Sequence, residues 1–169
     1  MNPHPSDHLN ARVAELAALF TTIAQTRMAG VPVLNPALQV EAIGFEYRPA
    51  GDGDAAGLGI LITPWFMNLV RLPLQRDESA AQVGRTHEAL LAGQRFEFIG
   101  AHEGALGAFA ACSLFSPMFE FADQVTARAT ALEVLAQLRT PPAPAARIEP
   151  VPARRSFLFG RSAVPEVRP

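Results

Sequence analysis

The sequence predicts an α+β protein, a two-layer sandwich in which an antiparallel sheet of about five strands is flanked by helices. Three observations predict it. Apolar residues recur at helical spacing near both ends of the first 140 residues, as Leu9, Val13, Leu16, Phe20 and Ile23 and again as Phe121, Val125, Ala129, Leu132 and Ala136. The stretches between them have strand length and either alternate or stay apolar throughout. These stretches follow one another without the helix-between-strands rhythm of a Rossmann-type sheet, so a meander is expected. The predicted order is α-β-β-β-α-β-β-α.

Asp7 is the expected N-cap of a helix from about His8 to Met28, ended by Gly30 and Pro32. Val31 to Leu38 reads as a loop, and Val40 to Tyr47 as a strand with Ile43, Phe45 and Tyr47 on one face. After the turn-rich Pro49 to Gly57 comes Leu58 to Leu74, the densest apolar run, which holds the only Trp. Leu58 to Thr63 is apolar on both faces, as a strand in mid-sheet is. Pro64 cannot donate to a ladder, so pairing breaks or bends there. Beyond it Trp65, Met67 and Leu69 alternate with Phe66, Asn68 and Val70, which reads as a strand leaving the corner. Gln75 to Leu91 is rich in Ala, Glu and Gln, with Gly84 in its middle, and a short helix is expected near Glu78 to His87. Arg95 to Ala101 alternates, and Leu106 to Phe115 is small and apolar, suiting a buried strand. A helix is expected from about Phe119 to Leu138.

These elements make residues 1–140 one domain, large enough to bury roughly two-thirds of its unfolded surface. Residues 141–169 are a proline-rich linker and a basic C-terminal tail. A linker from Pro141 to Pro152 spans roughly 37 Å if extended, against a body whose radius of gyration is near roughly 14 Å. From Thr140 onward there are five Arg and two acids, while the rest has nine Arg and fourteen acids, so a basic tail follows an acidic body.

Composition removes several classes of chemistry. Every basic residue is Arg, so Schiff-base catalysis and a Walker-type phosphate Lys are out. A net charge of −2 gives no reason to expect nucleic acid. Cys112 is alone, which excludes an internal disulfide and a thiolate metal cage. It reads as a core residue; pairing with His102 as a nucleophile is the lesser alternative. His4, His8, His87 and His102 lack metal spacing, and Asp52-Gly53-Asp54 reads as a turn, not a calcium loop. The glycines Gly51 to Gly59 lie between strands, not before a helix, and make no phosphate cradle. No run approaches the eighteen or so apolar residues of a membrane span, and a cytoplasmic protein without cofactor or metal is expected. Trp65, Phe66 and Met67 are either a packed core edge or a sticky surface.

Three motifs carry a resemblance. Ile62-Thr63-Pro64-Trp65-Phe66-Met67, Cys112-Ser113-Leu114-Phe115-Ser116-Pro117 and Arg154-Arg155-Ser156-Phe157-Leu158-Phe159-Gly160-Arg161 resemble the HybE/HupJ/HoxT family of nickel–iron hydrogenase assembly chaperones. The last also copies most of the twin-arginine export pattern, at the wrong end for an export signal. The resemblance implies a cytoplasmic, non-catalytic maturation factor with a secretion-chaperone-like α+β sandwich. It implies contact with a hydrogenase subunit precursor, chiefly the small subunit that bears a twin-arginine signal, in a proofreading role. The alternative that it allows is an oxygen-protection accessory acting on the large subunit or with a rubredoxin-like partner. The partner-binding residues expected on these grounds are Trp65, Phe66, Met67 and Asn68 at the proline corner, with Arg154, Arg155, Phe157, Leu158, Phe159 and Arg161 in the tail.

Overall fold

The structure, a computed structural model that describes residues 4–51 and 53–140, runs α1 (Pro5–Gln25), β1 (Glu41–Arg48), β2 (Ala56–Ile62), β3 (Met67–Pro73), β4 (Thr86–Leu91), β5 (Gln94–Glu103), β6 (Gly107–Phe115) and α2 (Gln124–Arg139). Six strands form one antiparallel sheet in the order β1-β2-β3-β6-β5-β4. The α+β class and the antiparallel sheet stand as expected, with one strand more and one helix fewer. The short helix expected near Glu78 to His87 does not form. Ala81 to Gly84 make a turn, and Thr86 to Leu91 pair with β5 instead. Helix propensity there is worth only tenths of a kcal/mol per residue, and a six-residue ladder against an existing strand outweighs it.

The two helices lie on opposite faces, so the molecule has three layers over half the sheet and not two. Leu16, Phe20 and Ile23 of α1 pack with Leu61, Val70, Leu72, Leu106 and Phe109. Ala127, Ala131 and Leu135 of α2 pack with Ile43, Leu58, Ile60, Met67, Leu69 and Phe98 on the other side. This is why β2 is buried at all seven positions: its odd residues meet one helix face and its even residues the other. Close approach is bought on β1 by a bulge between Ile43 and Glu46, where Gly44 takes φ +61. Phe45 then lies over Gly59, and a Cβ at Gly59 would come within 2.8 Å of the Phe45 Cα.

Capping and polar ties fix each helix. His4, not Asp7, is the N-cap of α1: its ring accepts from the Ser6 N–H, and Pro5 fills the first helical position. Arg12 is buried, and its guanidinium donates to the Pro73 carbonyl (3.1 Å), the Leu106 carbonyl (2.9 Å) and the Glu15 carboxylate (2.6 Å). Asp123 caps α2 by accepting from the N–H and the hydroxyl of Thr126, each at 2.8 Å. Glu41 receives Arg128 and Gln124 from α2, and Arg139 reaches Glu46 and the Gly44 carbonyl, so α2 runs along β1. Contacts of both helices with the sheet concentrate at β1 and β2, leaving the β5–β4 half open.

Candidate partner-binding site

The proline corner is a hairpin tip. Ile62 pairs with Met67, and the Thr63 N–H donates to the Phe66 carbonyl at 2.8 Å, so Pro64 and Trp65 are the two tip residues. Thr63 is fully buried, and its hydroxyl oxygen accepts from the N–H groups of Trp65 (3.2 Å) and Phe66 (2.9 Å). A Thr at that place does what an Asx or Ser/Thr turn residue does, locking the two residues after it.

Two further loops hold the tip from below. The Asn35 N–H donates to the Pro64 carbonyl at 2.8 Å. The Asn35 side chain is buried; its amide donates to the carbonyls of Met118 (3.0 Å) and Phe121 (2.8 Å), and its oxygen accepts from the Ala37 N–H at 3.0 Å. The Ser116 hydroxyl donates to the Trp65 carbonyl at 3.4 Å, from a loop with a cis bond before Pro117. The loops at 31–38, 63–66 and 116–121 therefore meet at one end of the sheet, with one buried amide at the junction.

Trp65 and Phe66 fold back over the α1 face and are partly buried there. The Phe20 ring lies 6.4 Å from Trp65 and 5.7 Å from Phe66, and the two tip rings stand edge to face at 5.4 Å. The sequence left core edge and sticky surface open; these rings sit between the two, anchored beneath and accessible above. Met67 does not join them. It is fully buried on the α2 face, because side chains alternate along β3 and the tip ends one residue before it. Its expected role as a contact residue is corrected to that of a core residue. Asn68 returns to the α1 face, partly buried, with its Oδ1 buried and unpartnered among the described residues. Arg154, Arg155, Phe157, Leu158, Phe159 and Arg161 lie outside the described residues.

Cys112 and His102 do not form a pair. His102 stands opposite Ala108, four residues along β6 from Cys112, which is about 13 Å. Burial pushes the Cys112 thiol above its ordinary pKa, opposite to what a nucleophile needs. Among the described residues no group of three His, Cys, Asp or Glu side chains is placed to hold a metal, and no helix is long and apolar enough to cross a membrane. Sequence reasoning missed Asn35 and Thr63 as the anchors of the tip. Their signal was present in Asn35-Pro36 and Thr63-Pro64, each a short polar side chain next to a proline, a pattern that favours local side-chain turns.

Known proteins resemble this chain over most of its length. Residues 11–160 match the family described as "[NiFe]-hydrogenase assembly, chaperone, HybE". The chain is 51% identical over 161 residues to protein HoxT of Cupriavidus necator, covering 89% of each. It is 34% identical over 133 residues to a Rhodobacter capsulatus protein named probable rubredoxin HupJ, covering 78% of this chain and 46% of that one. The solution structure of HybE from Escherichia coli superposes with a TM-score of 0.55 at 22% identity, covering 90% of this chain and 91% of that one, a likeness of fold.

Proposed function

Because this chain belongs to the HybE family of [NiFe]-hydrogenase assembly chaperones, we propose that it binds a hydrogenase subunit precursor in the cytoplasm and makes or breaks no bond in doing so. The precursor is the small subunit with its twin-arginine signal, held back from export until assembly is complete. The observation that carries this is the aromatic tip: Trp65 and Phe66, partly open above a ring of α1 and fixed from three loops. Rigid aromatics with one open face lose little entropy on contact and supply most of the affinity at protein interfaces. An acidic body speeds the encounter with a client carrying two arginines.

Trp65 is the only Trp, so its emission reports binding directly. Titration of the full chain with a small-subunit signal peptide is expected to shift that emission. Trp65→Ala and Phe66→Ala, followed by anisotropy of a labelled peptide, are each expected to weaken binding by about 2 kcal/mol, near thirtyfold. If affinity capture from hydrogenase-expressing cells brings down no precursor, or if both folded variants bind as the parent does, the proposal fails. The relative named a probable rubredoxin favours a second reading, in which the chain acts beside a rubredoxin-like protein or on the large subunit to protect the maturing enzyme from oxygen. That reading expects capture of the large subunit and indifference to the signal peptide.

A further inference from the structure

The open half of the sheet ends in an edge whose backbone is free in a definable way. β4 pairs with β5 alone. The turn between them is two residues, Ala92 and Gly93, with φ of 48 and 77, so Leu91 and Gln94 form a hydrogen-bonded pair. Bonded and unbonded pairs alternate along an antiparallel ladder. Arg85, Ala89 and Leu91 therefore face β5, as the bond from the Gly100 N–H to the Arg85 carbonyl confirms at 2.9 Å. The N–H and C=O groups of Thr86, Glu88 and Leu90 point outward, and among the described residues nothing bonds them.

Edges of this kind are usually blunted by proline, a bulge or charged side chains; β4 has no proline and no bulge, and its one charged residue is Glu88. It carries instead a face that wants a partner. Ala89, Leu91 and Phe96 belong to the α2 side, which puts Glu88, Leu90, Glu97 and Ile99 on the α1 side. Leu90 is 70% and Ile99 49% exposed there. Glu88 stands directly opposite Glu97, a like-charge pair that costs stability, and Arg95 reaches Glu88 alone, at 3.3 Å. The Leu90 end of this surface lies at the same end of the sheet as the Trp65 tip, through the β5–β6 and β3–β6 registers.

We infer that the β4 edge is a strand-addition seat for an extended segment of the bound precursor that carries an arginine and, two residues away, an apolar side chain. The segment takes up the outward groups of Thr86, Glu88 and Leu90, sets its guanidinium against Glu88 and toward Glu97 behind it, and lays its apolar side chain two residues along, on Leu90. Main-chain pairing supplies affinity and alternate side chains supply selection, as in other strand-addition complexes. The Arg-x-Phe spacing of Arg155-Ser156-Phe157 in this chain is the same chemistry, so its own tail is the natural competitor. The inference rests on the precursor-binding function proposed above.

The test uses the full chain and a labelled twin-arginine signal peptide of a hydrogenase small subunit. Glu88→Arg reverses the charge, and Leu90→Pro removes one outward N–H without touching the β5 ladder. Each is expected to weaken binding about tenfold or more, and hydrogen exchange at the N–H groups of Thr86, Glu88 and Leu90 is expected to slow only in the complex. Unchanged affinity in both folded variants with unslowed exchange overturns the seat and leaves the chaperone reading standing. No binding by the parent chain defeats that reading, and the seat with it. Exchange already slow without peptide, and released by a double Arg155→Ser and Phe157→Ser variant, gives the edge to the chain's own tail and overturns the precursor as its occupant.

Discussion

Asn35→Ala tests whether the aromatic tip is held from below. Three side-chain bonds are lost: two amide donations, to Met118 and Phe121, and one acceptance, from Ala37. The two carbonyls lose their donor in a buried junction, at about 1–3 kcal/mol for each group left without a partner. The Ala37 N–H is at an exposed residue and finds water, so its loss adds little. The sum is about 2–5 kcal/mol, since neighbouring losses are not additive. For a body of this size it lowers Tm by roughly 8–20 °C. Urea unfolding followed by circular dichroism measures it. The emission of Trp65 before unfolding adds the local readout: a loosened Pro64 carbonyl frees the tip, and the indole emission moves to the red. Asn35→Asp is the control, because a carboxylate keeps the acceptor for Ala37 but cannot donate to the two carbonyls, so it is expected to be at least as costly. A loss under about 1 kcal/mol with unmoved emission would show that the three loops hold one another without Asn35.

Three other perturbations have definite signs. Gly59→Ala drives a Cβ against the Phe45 ring and backbone and is expected to cost about 1–3 kcal/mol or more, measured by the same urea titration. Cys112 is expected to react slowly with iodoacetamide at neutral pH in the folded protein and quickly in denaturant, because burial raises its pKa and leaves little thiolate; fast native labelling, followed by mass spectrometry, contradicts this. Desolvation pulls Glu41 upward in pKa, but hydrogen bonds from Arg128 and Gln124 hold it below its ordinary value. A carboxylate lowered on folding stabilises above its unfolded pKa and stops doing so as pH falls through the folded one. Glu41→Gln is therefore expected to lower stability near neutral pH and to lose that deficit on the acid side, in urea midpoints measured across pH.

Much of the fold was legible because periodicity states it. The stripe of Leu9 to Ile23 and the small-residue run of Leu106 to Phe115 each have a single physical solution, a one-sided helix and a buried strand. Thr86 to Leu91 was not legible, since Glu, Ala and Leu favour a helix and only the strand beside them decides otherwise. The strand order was also hidden: β3 pairs with β6 across a long gap in sequence, and no local signal reports a partner forty residues away. The third layer was half visible. An apolar run on both faces of β2 demanded cover on both sides, but which helix lay where needed the structure. At the site, Trp65 and Phe66 were visible as residues, while their setting depended on Asn35 and Ser116, which come near only when three loops meet.

An apolar stripe lying on a sheet has no intrinsic registry; slid by one turn, it finds leucines and valines again. Arg12 removes that freedom for α1, since its planar fork fits only where the Pro73 and Leu106 carbonyls converge. Phe20 is eight residues farther along, about 12 Å down the axis, and its ring is the bed on which the indole rests. The pose of the half-buried indole is thus tied to a guanidinium buried about two turns away along the helix, and substitution there is expected to reach a surface it never touches.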